Sequence, residues 1–459
     1  MNRRIASIDA LRGITIIMMI LCSSIGWNSG LPAWMFHCQC PPPTYAFDPM
    51  VKGITWVDLV FPWFLFSMGA AIPFALGSRI RKGWGMGRIS AGLVRRWLTL
   101  AAFGLVLGNA GLVTDYCAWG PSLLRLGIWC GLFLALWRAP AKHGYAVNLA
   151  GLAVVIALLI VEHSVFGASM SLHSNDIIIM VLSLVALTGG FAWLLTRERP
   201  GWRIALLLLV AALKEVSWQW HPFGFMQFPG WIDWLLNWRY LQYLVVVLLG
   251  TVVGDLLSAA SAGGPQALCA SPLDRRAIIA AGLCFLMTPL ALWGFFARQI
   301  WMLFTLVFAL GGLAMWLTRG DKSVWAYIMR IGFACLQFGI IFDPIDGGIT
   351  KDHCNLSYML STGGLACLMT SFLLWCEAGA ALRGRTLSKT LTMTGQNPMI
   401  AYTVAWFVIM PALMLVRFDL FEEMTVGRPL MGLLQGVIIT GLMVCATCLL
   451  TRAKIFWRS

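Results

Sequence analysis

One histidine is placed to do chemistry. His37 lies in the stretch Phe36 to Pro49, FHCQCPPPTYAFDP, with Asp48 further along the same stretch and Asp58 beyond it. A neutral imidazole can take a proton from a hydroxyl or an amine, and a carboxylate on its other nitrogen can hold the ring and stabilise its charged form. Both Asp48 and Asp58 are candidates for that carboxylate. The proline run, Pro41 to Pro43, fixes φ and predicts an extended loop that folds His37 back over the neighbouring chain. The competing reading is an ordinary loop histidine at a membrane interface.

The elements around this loop are apolar. Of 459 residues, 59% are hydrophobic and 11% charged, and the mean hydropathy is +0.80. Repeated apolar runs predict an all-α polytopic membrane protein with about fourteen transmembrane helices. They fall at roughly 11–29, 56–78, 92–112, 122–138, 147–166, 177–196, 203–218, 240–258, 276–296, 299–318, 324–342, 357–380, 395–416 and 430–451. The alternation of a barrel strand is missing, and no cleavable leader or internal repeat is evident. One domain over 1–459 is expected.

The net charge of +14 does not point to nucleic acid, because it is dispersed in short clusters between apolar runs. Alternate connections carry most of it: Arg3 and Arg4; Arg79, Arg81, Lys82, Arg88, Arg95 and Arg96; Arg138 and Lys142; Arg197, Arg199 and Arg203; Arg275 and Arg276; Arg319 and Lys322; Arg383, Arg385 and Lys389; Arg452, Lys454 and Arg458. The opposite set holds mainly Lys52, Arg239, Arg298, Lys351, Arg417 and Arg428. This bias places both termini in the cytoplasm and the His37 loop outside, in a bacterial inner membrane. His143 falls inside and the other histidines outside, without zinc-type spacing, so no metal site is expected. Cys38, Cys40, Cys117 and Cys354 fall outside, enough for two bridges in an oxidising compartment.

Charge within a span marks a functional candidate. Asp9 and Arg12 share a helix face at the start of the first span. Asp58 opens the second, either as a helix cap or as a site carboxylate, four residues before Pro62. Arg125 lies in the fourth. Lys214 with Glu215, Asp255 and Arg330 read as boundary residues. The Trp-rich outer segment 217–240 suits an aromatic belt or a sugar-stacking platform. The inner loop RIRKGWGMGRIS suits phosphates or plain positive-inside bias.

Seven blocks in order carry a resemblance: SIDALRGITII, GITWVDLVFPWFLFSMG, LLRLGIW, LGTVVGDLL, NLSYMLSTGGLA, TGQNPMIAY and AKIFWRS. Together they resemble the heparan-α-glucosaminide N-acetyltransferase family of transmembrane acyltransferases, including its bacterial branch. The match is poor over 147–238 and 270–340, where extra helices are expected. The resemblance implies transfer of an acetyl group from cytosolic acetyl-CoA, a cosubstrate and not a resident cofactor, to an amino sugar across the membrane. Asp48 stands where the family's catalytic His is expected, and Ser23 where an Asn is. Asp58, Arg125, Asn397 and Tyr402 match.

The reading is therefore an acyltransferase with His37, Asp48 and Asp58 as catalytic candidates. Asp9, Arg12, Ser23, Arg125, Asn397 and Tyr402 line its substrate and donor tunnel. Its expected partners are membrane lipids, acyl-CoA, a periplasmic glycan or amino sugar, and a second copy of itself. The alternatives are a transporter or flippase for a lipid-linked or small organic solute, and a non-catalytic glycan-binding member.

Overall fold

The computed structural model describes residues 5–110, 119–137, 144–219, 228–261 and 265–457, and among these not the side chains at 214, 216–219, 265 and 266. The expectations placed on Arg3, Arg4, Cys117, Arg138, Lys142, His143, the Lys214 side chain, His221 and Arg458 lie outside the described residues, as does much of the Trp-rich segment.

The chain is all-helical and has no strand among the described residues. Thirteen helices there are long and apolar enough to cross a membrane, so this is an integral membrane protein. They are α1 Ala6–Ser24, α2 Trp56–Arg81, α3 Met86–Asn109, α4 Trp119–Leu136, α5 Gly144–Phe166, α6 Ile177–Thr196, α8 Trp238–Ala260, α9 Arg275–Phe296, α10 Ile300–Leu317, α11 Val324–Ile345, α12 Leu356–Leu382, α14 Pro398–Leu415 and α15 Pro429–Arg452. Two further helices matter below. α7 is Pro200–Gln219, apolar only over Pro200–Leu213, and α13 is the short Lys389–Gln396.

About fourteen spans were expected, and α7 is not among the thirteen; contacts before and after it give the direction of its neighbours. Near its start, Arg203 ion-pairs with Asp255, close to the end of α8. Trp193, close to the end of α6, donates to the same carboxylate at 2.9 Å. Beyond its other end, Asp233 meets His173, which precedes α6, at 2.9 Å. α6 and α8 thus run the same way.

The termini share one face. The amides of Ala6 and Ser7 donate to Glu377 near the end of α12, at 3.2 and 2.9 Å. Asn397 donates to the carbonyl of Ile455 at 2.8 Å. These bonds also answer the exposed donors that open α1.

α1 begins five residues earlier than its apolar run suggests, and takes Asp9 and Arg12 into the bundle. Arg12 reaches the Asp9 carboxylate at 3.5 Å, the Gly395 carbonyl at 3.3 Å and the Ser67 carbonyl at 3.2 Å. α1 and α13 pack backbone to backbone here. A Cβ on Gly395 would overlap the Asp9 carbonyl, and one on Gly13 would overlap that of Leu391. Gly395→Leu is therefore expected to cost at least about 1–3 kcal/mol, the range for overpacking. Unfolding in detergent checks this, and an unchanged midpoint would mean that the two helices separate freely.

Candidate functional site

The loop between α1 and α2 is folded onto itself. Trp27, Phe36 and Tyr45 form an aromatic cluster with ring centroids 5.0 to 5.7 Å apart, and such pairs add to the stability of plain burial. The proline run does not extend, contrary to the sequence expectation. Residues 42–44 turn, Pro42–Pro43 is cis, and the Tyr45 amide donates back to the Pro41 carbonyl at 3.0 Å. Aromatic packing overrides the polyproline preference. The Thr55 hydroxyl, beside the start of α2, donates to the Phe36 carbonyl at 2.7 Å and ties the loop to that helix.

His37 emerges from this loop above the α2 N-terminus. Its Nδ1 lies 2.7 Å from Asp58 Oδ1. Asp58 Oδ2 accepts from the Thr55 amide at 2.9 Å and the Cys38 amide at 3.4 Å. The carboxylate is 1% exposed and is an acceptor in each of these bonds, so it caps the helix and orients the imidazole at once. Nδ1–H donates to Asp58, and Nε2 keeps its lone pair. The side chain of His37 is one-third exposed at 34%.

A third group joins them. Lys351 Nζ lies 2.9 Å from His37 Nδ1 and 3.5 Å from Nε2, and 3.6 Å from Asp58 Oδ1. Because Nδ1–H already donates to Asp58, the ammonium is paired with the carboxylate rather than bonded to the ring nitrogen. The loop carrying Lys351 is braced throughout. Asp343 takes two bonds from Arg298, at 2.7 and 2.9 Å, and one from the Ile349 amide at 2.8 Å. The Ile349 carbonyl accepts from the Gly53 amide at 2.8 Å. Asn355 donates to Gly348 at 2.8 Å.

α2 is held against α12 by a bond that Pro62 makes necessary. Proline has no N–H, so the Asp58 carbonyl loses its helical partner. The Tyr358 hydroxyl supplies one at 2.7 Å. The helix runs unbroken from Trp56 to Arg81.

The other sequence candidates lie elsewhere. Asp48 is exposed and accepts from its own turn, at the Met50 amide, 2.9 Å; Asp58 holds His37 instead. Ser23 is exposed and donates to Met19 of its own helix at 2.8 Å. Its neighbour Cys22 feels the charges of Lys351 and Asp58. Arg125 is 7% exposed, one turn from Trp129, which bonds Thr403 of α14 at 3.2 Å. Tyr402 donates to Asp176 at 2.7 Å and fastens α14 to the α6 cap. Asn397 is buried in the break between α13 and α14, and its Oδ1 has no hydrogen-bond partner among the described residues.

Lys351 is the site residue that sequence reasoning missed. Its only signal is its place among the few basic residues of the outer set.

Cys38 and Cys40 carry free thiols, so neither forms one of the expected bridges; Cys117 lies outside the described residues. Burial, reinforced by the Asp58 charge, pushes the Cys38 thiol up to about 12. A raised thiol pKa leaves almost no thiolate at neutral pH. Cys38 should therefore resist maleimide at pH 8 in the folded protein and react after unfolding. Labelling of folded Cys38, read by peptide mass, would contradict its enclosure. No group of three metal-ligating side chains occurs among the described residues.

A family model described as "Domain of unknown function (DUF5009)" matches residues 4–257, more than half of the chain. Human heparan-alpha-glucosaminide N-acetyltransferase is 28% identical over 130 residues, 27% of this chain and 18% of that protein. The mouse protein of the same name is 25% identical over 130 residues, with the same coverage. The alignment thus spans under a fifth of the length of these relatives.

Proposed function

The chain belongs to the DUF5009 family, and from that premise we propose that it is a transmembrane acyltransferase. It takes an acyl group, acetyl in the simplest case, from a cytosolic acyl-CoA and delivers it to an amino or hydroxyl group of a sugar on the far face. In this reading the termini are cytoplasmic and the His37 loop is periplasmic, in a bacterial inner membrane. The likeness to a membrane N-acetyltransferase supports the reaction class.

The observation that carries the reading is His37 held at 2.7 Å by a buried carboxylate, with its side chain one-third exposed. Nε2 removes the proton of the acceptor as its nitrogen or oxygen attacks the thioester carbonyl. The tetrahedral intermediate collapses, the C–S bond breaks, and the thiolate takes the proton from His37. Asp58 stabilises the imidazolium formed in between. Lys351 stands close enough to oppose the negative charge on the carbonyl oxygen.

The test is release of CoA thiol from acetyl-CoA by the purified protein with a panel of amino sugars and glycans. Acceptor-dependent thiol release and an acetylated product support the reading. Uptake of a solute into vesicles with no thiol release would favour a transporter, which the helix break at Asn397 also suits.

A further inference from the structure

We propose that Arg298 and Asp343 are a positioning pair, which sets where Lys351 stands against Asp58 and His37. Arg298 sits in the turn between α9 and α10, and Asp343 near the end of α11. His37 and Asp58 lie within residues 4–257, which the family model matches, while Arg298, Asp343 and Lys351 lie beyond them. Both parts of the chain are therefore needed to assemble the site. Lys351 is 23% exposed at its side chain and 3.6 Å from the Asp58 carboxylate. An ammonium on a flexible four-carbon stem is not confined by such a contact alone. Its place depends on how its backbone is held.

The route from Arg298 to that backbone is a chain of hydrogen bonds. The guanidinium fork meets both oxygens of Asp343, at 2.7 and 2.9 Å, and the Asp343 side chain is 2% exposed. Its Oδ2 also accepts from the Ile349 amide at 2.8 Å, and its backbone carbonyl accepts from the Gly348 amide at 2.7 Å. Lys351 follows two residues after Ile349. The Ile349 carbonyl accepts from the Gly53 amide, two residues ahead of Thr55, whose own amide donates to Asp58. Ile349 thus ties the Lys351 loop to the segment that opens α2. A Cβ on Gly53 would stand 3.1 Å from the Phe295 carbonyl, so the end of α9 packs on the same segment. Without Arg298, Asp343 is a buried carboxylate that has lost its cation, which is costly enough to open the loop to water.

The backbone at Arg298 shows that the turn is kept for this side chain. Its φ is +56°, in the left-handed region that glycine enters freely and other residues enter at a cost. A non-glycine residue persists there where its surroundings hold it, most often at a functional site. The two bonds to Asp343 do the holding here. Glycine would make the same turn more easily and would lose only the guanidinium. Five non-glycine residues have positive φ among those described, and three of them, Tyr45, Arg298 and Cys354, lie on the segments that build the site.

Acetylation of lysines by sulfo-NHS-acetate tests this on the purified full chain in detergent, with each site followed by peptide mass. In the wild type Lys351 should react slowly compared with Lys389, which is exposed. In Arg298→Gly the Lys351 rate should rise at least about tenfold, as the loss of one hydrogen bond between charged groups allows, and the Lys389 rate should not change. Arg298→Lys keeps the charge without the fork and should give an intermediate rate. An unchanged Lys351 rate in Arg298→Gly overturns the positioning, and so does a rise that Lys389 shares, which marks general loosening. If Arg298→Gly does not fold, Arg298→Lys is judged by the same two rates. The bearing of Lys351 on acyl transfer rests on the reading above. There, Arg298→Gly should lower turnover as far as Lys351→Met does and leave the half-saturating acetyl-CoA concentration unchanged. Faster Lys351 labelling in Arg298→Gly, with no acyl transfer by the wild type to any acceptor, would sustain the positioning and sink the enzymatic reading. Unchanged labelling in an Arg298→Gly protein that still transfers acetyl would do the opposite.

Discussion

His37→Ala is expected to lower acyl transfer by about 100- to 10,000-fold, the range for loss of a positioned general base. The loss should fall on turnover, because the imidazole acts as the acceptor attacks and not while the donor binds. Donor binding, read as stabilisation by acyl-CoA, should be unchanged. The fold should also survive, since the side chain is one-third exposed and makes its contacts from a loop pinned by Trp27, Phe36 and Tyr45. Asp58→Asn should lower turnover similarly but also loosen the protein. Its carboxylate accepts from His37, the Thr55 amide and the Cys38 amide, and an amide nitrogen cannot accept in either position. A His37→Ala enzyme within about twofold of wild type would remove the imidazole from the mechanism.

How much of this was legible in the sequence depends on the range of each signal. Helix positions were, because hydropathy along a window is local, and most spans end within a few residues of their expected bounds. α1 was misplaced at its start because Asp9 interrupts the apolar pattern ahead of Arg12. They belong inside only because the carbonyls of Gly395 and Ser67, on other helices, accept from Arg12. His37 with Asp58 was within reach because the two are separated by a single loop. The choice between Asp48 and Asp58 was not, since it turns on how the aromatic cluster folds that loop. Lys351 comes from the far half of the chain, and nothing periodic in its own segment reports which helix it faces.

The ion pair of Arg203 and Asp255 shows the same blindness and carries the largest expected effect on stability. Each residue reads as a boundary charge. Folded, Arg203 is fully enclosed, and the Asp255 carboxylate receives it together with the Trp193 indole. Arg203 also donates to Thr196 at 3.0 Å. Asp255→Ala would strand a buried guanidinium, and removing one partner of such a pair costs about 3–5 kcal/mol. Arg203→Ala should cost less, because Asp255 is one-third exposed and keeps its bond from Trp193. The double change Arg203→Met with Asp255→Leu should recover much of the loss, since apolar residues of similar size replace buried pairs well. Denaturant unfolding in detergent, followed by tryptophan fluorescence, reads all three. The order matters more than any single value. If Arg203→Ala proved as costly as Asp255→Ala, the stranded cation would not be the cause, and the pair would act by holding α7 against α6 and α8.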